Sequence, residues 1–230
     1  ADMRSLVPHI LDKPVDAMIE HILCDLLYIN EKEVIKQLSS PKPKIRKLCI
    51  QVVGRKNFQS SASILIELVK KEKDRAIFQE IFITMSRLKT PDLLPVFQNN
   101  IMNPDQLVAS ISIHMLGEYK DASMLKKLFK ITEDAEALEN YEICSPVLAQ
   151  TIETLAELKS PEAIEFLVSK LHHKNPTARR IISEELVKLG TQILPYIEKV
   201  FDQNSIDDKI LAANTLALLG DKKGGEILIT

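Results

Sequence analysis

Apolar residues recur every three or four positions along most of this chain, which is the spacing of one face of an α-helix. Ile77, Ile81, Met85 and Leu88 form one such stripe. Stripes of this kind are wide, as expected for helices buried by neighbours on two sides. No stretch alternates apolar and polar residues for long enough to predict a strand. The pattern therefore predicts an all-α protein.

Two short segments of nearly the same sequence interrupt this pattern. Residues 88–92 read Leu-Lys-Thr-Pro-Asp, and residues 158–162 read Leu-Lys-Ser-Pro-Glu. A hydroxyl residue, a proline and an acid in that order mark a helix start, because they supply an N-cap, a fixed φ at the first turn and a favourable charge. Helix-start segments that recur between amphipathic stretches predict a repeat of helical hairpins.

The C-terminal end of the first helix in each hairpin can also be predicted from the sequence. Glycine just after the last apolar residue is a typical C-cap, because it adopts the left-handed conformation without a steric penalty. We therefore predict that the second helices begin shortly after these points, near Ser60, Pro91, Asp121, Pro161, Thr191 and Asp221. The predicted ends of the first helices are Val53-Gly54, Leu88-Lys89, Leu116-Gly117, Leu158-Lys159, Leu189-Gly190 and Leu219-Gly220.

Several of these segments resemble HEAT repeats. Residues 93–97 (LLPVF) and 193–197 (ILPYI) are similar to the start of a HEAT second helix, and residues 175–180 (NPTARR) to a first helix with its ladder arginine, Arg179. Residues 216–221 (LALLGD) resemble the short bacterial repeats of the pigment-lyase (PBS-lyase) type. The resemblance implies a right-handed α-solenoid of about seven hairpins forming a single domain over residues 1–230, with Arg46 as a second ladder arginine.

The ends of the sequence suggest a piece of a longer protein. The chain opens with Ala1 and has its first methionine at position 3, and it stops in the apolar run 227–229. We expect flanking sequence in the parent polypeptide.

Composition narrows the classes of function. The net charge is −2, from 30 basic and 32 acidic residues, and there is no tryptophan, so nothing favours nucleic acid. No segment is long and apolar enough to cross a membrane. Three scattered cysteines suit neither a disulfide framework nor a metal site and favour a cytoplasmic location. No phosphate loop or zinc motif is present. We expect no metal, no cofactor and no small-molecule ligand.

Basic residues late in several second helices are the first candidate binding surface. They either complement helix dipoles and aid solubility or form a discontinuous stripe that binds an acidic partner. His172 and His173 extend it; adjacent helical residues point about 100° apart, so a solvated helix end or a partner contact is expected rather than a shared metal. The lysines are Lys70, Lys126, Lys127, Lys130, Lys170 and Lys199.

An acidic insertion at residues 131–145 is the second candidate. It lengthens one hairpin and carries no lysine or arginine. It is either a solvated loop or a docking element for a basic partner or a neighbouring domain. Its acids include Glu133, Asp134, Glu136 and Glu139.

These features together predict a non-catalytic module that binds another protein, or a neighbouring domain of its own polypeptide, along its helical surface. One alternative is an accessory or regulatory domain of a larger membrane or signalling protein. Another is a HEAT-like enzyme of the DNA glycosylase or pigment lyase type. Because no catalytic motif is present, the sequence favours a protein that is not an enzyme.

Overall fold

The computed structural model describes residues 31–137, 144–203 and 206–220, and all of their regular structure is helical. The all-α prediction is confirmed. The chain divides into two compact units, residues 1–100 and residues 101–230. Asp221, the predicted start of the last helix, lies outside the described residues.

The first unit contains five described helices. They are α1 (Glu31–Gln37), α2 (Pro43–Lys56), α3 (Ala62–Val69), α4 (Arg75–Leu88) and α5 (Leu94–Asn100). Helix α2 packs beside α4, while α1 packs on α2 and α3 on α4. Aromatic rings fill part of this core: the centroids of Phe82 and Phe97 are 6.1 Å apart in an edge-on arrangement, and both side chains are fully buried.

The second unit repeats the arrangement. Its described helices are α6 (Gln106–Glu118), α7 (Leu125–Ala137), α8 (Pro146–Leu158), α9 (Pro161–Ser169), α10 (Pro176–Leu189), α11 (Leu194–Gln203) and α12 (Ile206–Leu218). Helices α6, α8, α10 and α12 pack side by side in chain order. Helices α7 and α9 pack on α8, and α11 contacts α9. Each unit is therefore a stack of helical hairpins, which confirms the predicted repeat class.

The predicted starts of the second helices are confirmed for the described hairpins. Short 3₁₀ turns at Gln59–Ser61, Pro91–Leu93, Ala122–Met124 and Gly190–Ile193 precede α3, α5, α7 and α11. Helix α9 starts directly at Pro161, where the Ser160 hydroxyl accepts a hydrogen bond from the Ala163 amide at 3.1 Å. The similar Thr90, which precedes a 3₁₀ turn, accepts no such capping bond.

Two of the predicted glycine caps are wrong. Helix α2 runs past Gly54 to Lys56, and α6 runs past Gly117 to Glu118. The left-handed residue after α2 is Asn57, with φ of 56°. Gly190 and Gly220, by contrast, do have positive φ, as predicted.

Gly54 and Gly117 instead allow neighbouring first helices to approach closely. The Thr84 hydroxyl of α4 donates to the carbonyl of Ile50 on α2 at 3.0 Å, and a β-carbon on Gly54 would lie 3.0 Å from that same hydroxyl oxygen. In the second unit, the Thr154 hydroxyl of α8 donates to the carbonyl four residues before Gly117 at 3.2 Å. A buried threonine hydroxyl thus links one first helix to the next in both units.

Candidate functional site

Helices α7 and α9 bring two aromatic side chains into contact. The rings of Phe129 and Phe166 stack with centroids 4.1 Å apart and an interplanar angle of 16°. The ammonium of Lys170, just after α9, lies 5.6 Å from the centroid of the Phe166 ring. A cation at that distance from an aromatic ring is attracted by its quadrupole.

Lys170 also forms the best-protected ion pair of the described part of the second unit. Its Nζ lies 2.8 Å from Oε2 of Glu136 on α7, and each side chain is only 16% exposed. Burial acts to raise the pKa of Glu136. The hydrogen bond and the charge of Lys170, with His173 and His172, outweigh burial and hold this pKa below its usual value. We call Glu136, Phe166, Lys170 and His173 the Lys170 cluster.

His173 is fully buried, whereas its neighbour His172 is exposed. Its Nδ1 accepts a hydrogen bond from the Asn175 amide at 3.0 Å. Among the described residues, Nε2 has no partner within hydrogen-bonding geometry, and the backbone of Thr132 is the polar group that acts on it. Burial lowers the pKa of His173, and Lys170 and Arg179 act in the same direction against Glu136 and Thr132. The sequence predicted a solvated histidine pair; the structure places one imidazole inside, neutral at pH 7.

The position of His173 recurs in other loops between hairpins. In each of four loops a side chain accepts a hydrogen bond from the amide of the residue two positions later, which precedes the next helix. The acceptors are Ser40, Glu72, Asn103 and His173, and the amides are those of Lys42, Asp74, Asp105 and Asn175. His173 therefore lies in a loop between hairpins, three residues before the next helix, whereas the sequence analysis placed it on a helix. Its position relative to Pro176 could have indicated this from the sequence.

A second contact of the same kind joins α9 to α11. Lys199 lies 3.2 Å from Glu165 and 5.6 Å from the ring centroid of Tyr196. Both partners of this ion pair are more than 60% exposed, so solvent screens it and it contributes little to stability. It does neutralise the charge of Lys199 locally.

The predicted basic stripe is therefore a surface of mixed charge. Lys170 and Lys199 each face an acid on the preceding second helix, and Lys70 of the first unit lies 2.6 Å from Glu67. Lys126, Lys127 and Lys130 are exposed on α7, the helix that carries Phe129. The prediction that they lie late in a second helix is wrong for Lys126 and Lys127, because α7 begins at Leu125 and places both in its first turn. These three lysines are the part of the stripe that is open to a partner.

The acidic insertion is partly helix. Residues 131–137 continue α7, where Glu133 and Asp134 are exposed and Glu136 turns inward to Lys170. Glu139 lies outside the described residues. Of the predicted site residues, the structure thus brings together Glu136, Lys170 and His173 only.

The Lys170 cluster holds α7 against the end of α9 and is not arranged for proton transfer. The ammonium and the carboxylate saturate each other, and the imidazole is enclosed. Within the described ranges, no group of three or more histidine, cysteine or acidic residues could hold a metal ion. None of the helices in the described part of the chain is long and apolar enough to cross a membrane.

Comparison with known proteins agrees with this architecture. Residues 31–117 match the family described as HEAT repeats. This match confirms the predicted resemblance to HEAT repeats for that segment. The chain also resembles the solved complex of CpcE and CpcF of phycocyanin lyase from Nostoc sp. PCC7120, with a TM-score of 0.59 at 20% identity over 86% of this chain and 80% of that one. At that identity the likeness concerns the fold.

A curated relative carries information on function. An 82-residue segment of this chain is 30% identical to phycocyanobilin lyase subunit beta of Nostoc sp. strain PCC 7120. The match covers 36% of this chain and 41% of that relative, less than half of its length. The expectations of a non-catalytic module and of a protein that is not an enzyme are wrong, because this relative is a lyase subunit. An enzyme subunit can act by binding and orienting its reactants, which requires no short catalytic motif. The absence of such a motif from the sequence therefore did not exclude an enzyme.

Proposed function

We propose that this chain is a subunit of a bilin lyase, a protein that promotes attachment or removal of a phycocyanobilin chromophore on an acceptor protein. The observation that carries the proposal is the 30% identity over 82 residues to a phycocyanobilin lyase subunit. The fold of the CpcE and CpcF complex, which this chain shares at a TM-score of 0.59, supports it.

The surface of α7 and α9 suits the two kinds of molecule that such a protein handles. A bilin is a linear tetrapyrrole with a conjugated apolar body and two carboxylates, so its site needs both apolar and cationic groups. The stacked rings of Phe129 and Phe166 are partly exposed, and Lys126, Lys127 and Lys130 are exposed on the helix that carries Phe129. We propose that these lysines contact the acceptor protein or the chromophore.

The proposed subunit acts together with a second protein. The similar solved structure is a complex of two proteins, and the curated relative is named as one subunit. We also propose a cytoplasmic location, because the cytoplasm is a reducing compartment in which thiols such as those of Cys49 and Cys144 stay reduced.

The test is a chromophore-transfer assay. The full chain is incubated with phycocyanobilin and an apo-phycocyanin subunit, with and without a CpcE-type or CpcF-type partner protein. We expect covalently bound bilin, measured by zinc-enhanced fluorescence in denaturing gels, to rise above the level of the reaction without the chain. No increase with either partner contradicts the proposal.

Charge reversal then tests the surface. Lys126→Glu with Lys127→Glu should lower the transfer rate by about tenfold or more, since two cations become anions on the proposed contact surface. Lys70→Glu is the control, because Lys70 is also an exposed lysine but lies just after α3 in the first unit. An equal effect of the two changes would refute the assignment of the α7 surface.

A further inference from the structure

Helix α7 carries its exposed charges in the order that opposes its own dipole. Lys126 and Lys127 lie in the first turn of the helix, and Lys130 follows in the second. The exposed acids, Glu133 and Asp134, lie in the C-terminal half. The N-terminal end of a helix is the positive end of its dipole, where acids are stabilised and cations are repelled. Complementing the helix dipole therefore does not account for these lysines.

The three lysines also repel one another. Lys130 lies four residues after Lys126 and three after Lys127, so the three side chains share one face of the helix. Like charges at these spacings lower the stability of a helix. The other described second helices have no lysine or arginine among their first four residues, which are ASIL in α3, LPVF in α5, PEAI in α9 and LPYI in α11. The basic start of α7 is thus an exception among them.

This positive charge is not neutralised by neighbouring helices. Lys126, Lys127 and Lys130 are all exposed, and none of them forms an ion pair among the residues that the structure describes. Elsewhere on the second helices, Lys170 pairs with Glu136 and Lys199 with Glu165. The N-terminal half of α7 therefore presents a concentrated positive surface to solvent.

We propose that this face of α7 docks an acidic segment of a partner protein. The carboxylates of the partner lie against Lys126, Lys127 and Lys130, where they offset the repulsion between the lysines and face the positive end of the helix dipole. Glu133 and Asp134 repel the same carboxylates, which fixes the register of the partner along α7. The identity of this partner as the acceptor protein of a bilin lyase rests on the proposed function.

The exposure of the lysines favours a protein over the chromophore as the occupant. An ion pair that stays in solvent contributes little by itself. A bilin has two carboxylates on one small molecule, whereas a protein segment can meet all three lysines and cover them with its own surface. The partly exposed ring of Phe129, which stacks on Phe166, adds an aromatic residue of the kind enriched at protein interfaces.

Binding of an apo-phycocyanin subunit to the full chain tests the inference, with binding of phycocyanobilin alone measured beside it. Calorimetric titration gives the affinity for the protein at low and at high salt, and the change in bilin absorbance gives the affinity for the chromophore. We expect the affinity for the protein to fall about tenfold or more at high salt, because salt screens exposed charges.

Two charge-reversal variants of α7 make the test specific. Lys126→Glu with Lys127→Glu should weaken binding of the protein about tenfold or more, and by a larger factor than binding of phycocyanobilin. The same variant should raise the urea midpoint of unfolding, since it puts acids at the positive end of the helix dipole. A loss of binding in a more stable chain does not come from unfolding. Glu133→Lys with Asp134→Lys is the matched control on the same helix, and it should strengthen binding of the protein.

Equal affinity of the wild type and the lysine variant for the protein overturns the inference. It is also overturned if the wild type does not bind the protein, or if the variant loses more affinity for phycocyanobilin than for the protein. These outcomes are separable from the chromophore-transfer assay. A chain that transfers bilin equally well with and without the two lysines keeps the proposed function and loses this docking surface. A chain that binds the protein through the lysines but transfers no bilin does the reverse.

Discussion

At the scale of single residues, the Lys170 cluster shows how burial and charge oppose each other within a few ångströms. Lys170 and Glu136 stay charged because they pair directly at 2.8 Å. His173 is buried beside them, and burial favours its neutral form. One imidazole is thus held uncharged next to an ion pair.

This arrangement predicts an acid-sensitive second unit. The pKa of His173 is lower in the folded chain than in the unfolded chain, so the unfolded chain binds the extra proton first. Folding stability is therefore full above the ordinary histidine pKa and falls as the pH drops from about 6.5 through the folded-state pKa. Glu136, whose pKa is also lowered, adds a further loss at still lower pH.

The measurement is the urea midpoint of unfolding at pH 7 and pH 5. His173→Gln should show a smaller drop between the two values than the wild type, because the titrating group is gone. His172→Gln is the control, since His172 is exposed, and it should keep the wild-type drop. Equal profiles for all three proteins would show that His173 does not set the acid sensitivity.

At the scale of helices, two glycines that look alike in the sequence have different neighbours. A β-carbon on Gly54 would meet Thr84, whose buried side chain is fixed by its bond to the Ile50 carbonyl. A β-carbon on Gly117 would lie 2.5 Å from Oε2 of Glu157. The Glu157 side chain is 37% exposed and held by Lys120 at 3.3 Å, so it can turn away.

The two alanine substitutions should therefore differ in sign. Gly54→Ala should destabilise the chain by about 1 kcal/mol, because overpacking costs about 1–3 kcal/mol and the gain in helix propensity returns about 1 kcal/mol. Gly117→Ala should be neutral or stabilising by up to about 1 kcal/mol, because only a flexible carboxylate moves. Chemical denaturation of both variants measures the difference. A larger loss for Gly117→Ala would contradict the packing described for the two helix pairs.

At the scale of the whole molecule, the two compact units are stacks of hairpins in which each helix contacts its neighbours in the chain. Stability in such a stack is close to a sum of local terms. A change in one core should therefore act mainly on its own unit. Leu65 on α3 and Leu155 on α8 are both fully buried and offer a matched pair.

Hydrogen exchange resolves this prediction. Leu155→Ala should cost about 2–5 kcal/mol and remove amide protection chiefly in residues 101–230, and Leu65→Ala should do the same chiefly in residues 1–100. Mass spectrometry of peptic fragments gives the location. Uniform loss of protection across both units in either variant would show that they unfold as one.

The sequence by itself determined the helices and their order. Helical periodicity and the capping residues, such as Ser160 before Pro161, act within a few positions, so the sequence contains the whole signal. The ladder arginines were also predictable, because their acceptors lie five and six residues away in the same chain segment. The class of function was not, since one scaffold hosts many activities.

Only the tertiary structure decided which side chains meet. Glu136 and Lys170 are 34 positions apart, and the burial of His173 depends on the packing of α7 against the loop after α9. Gly54 and Gly117 were predicted to be helix caps, although they lie at close contacts between helices. Both situations favour a residue without a β-carbon, so the sequence alone does not distinguish them. Contacts between hairpins are set by how the helices pack, and periodicity within one helix does not specify that.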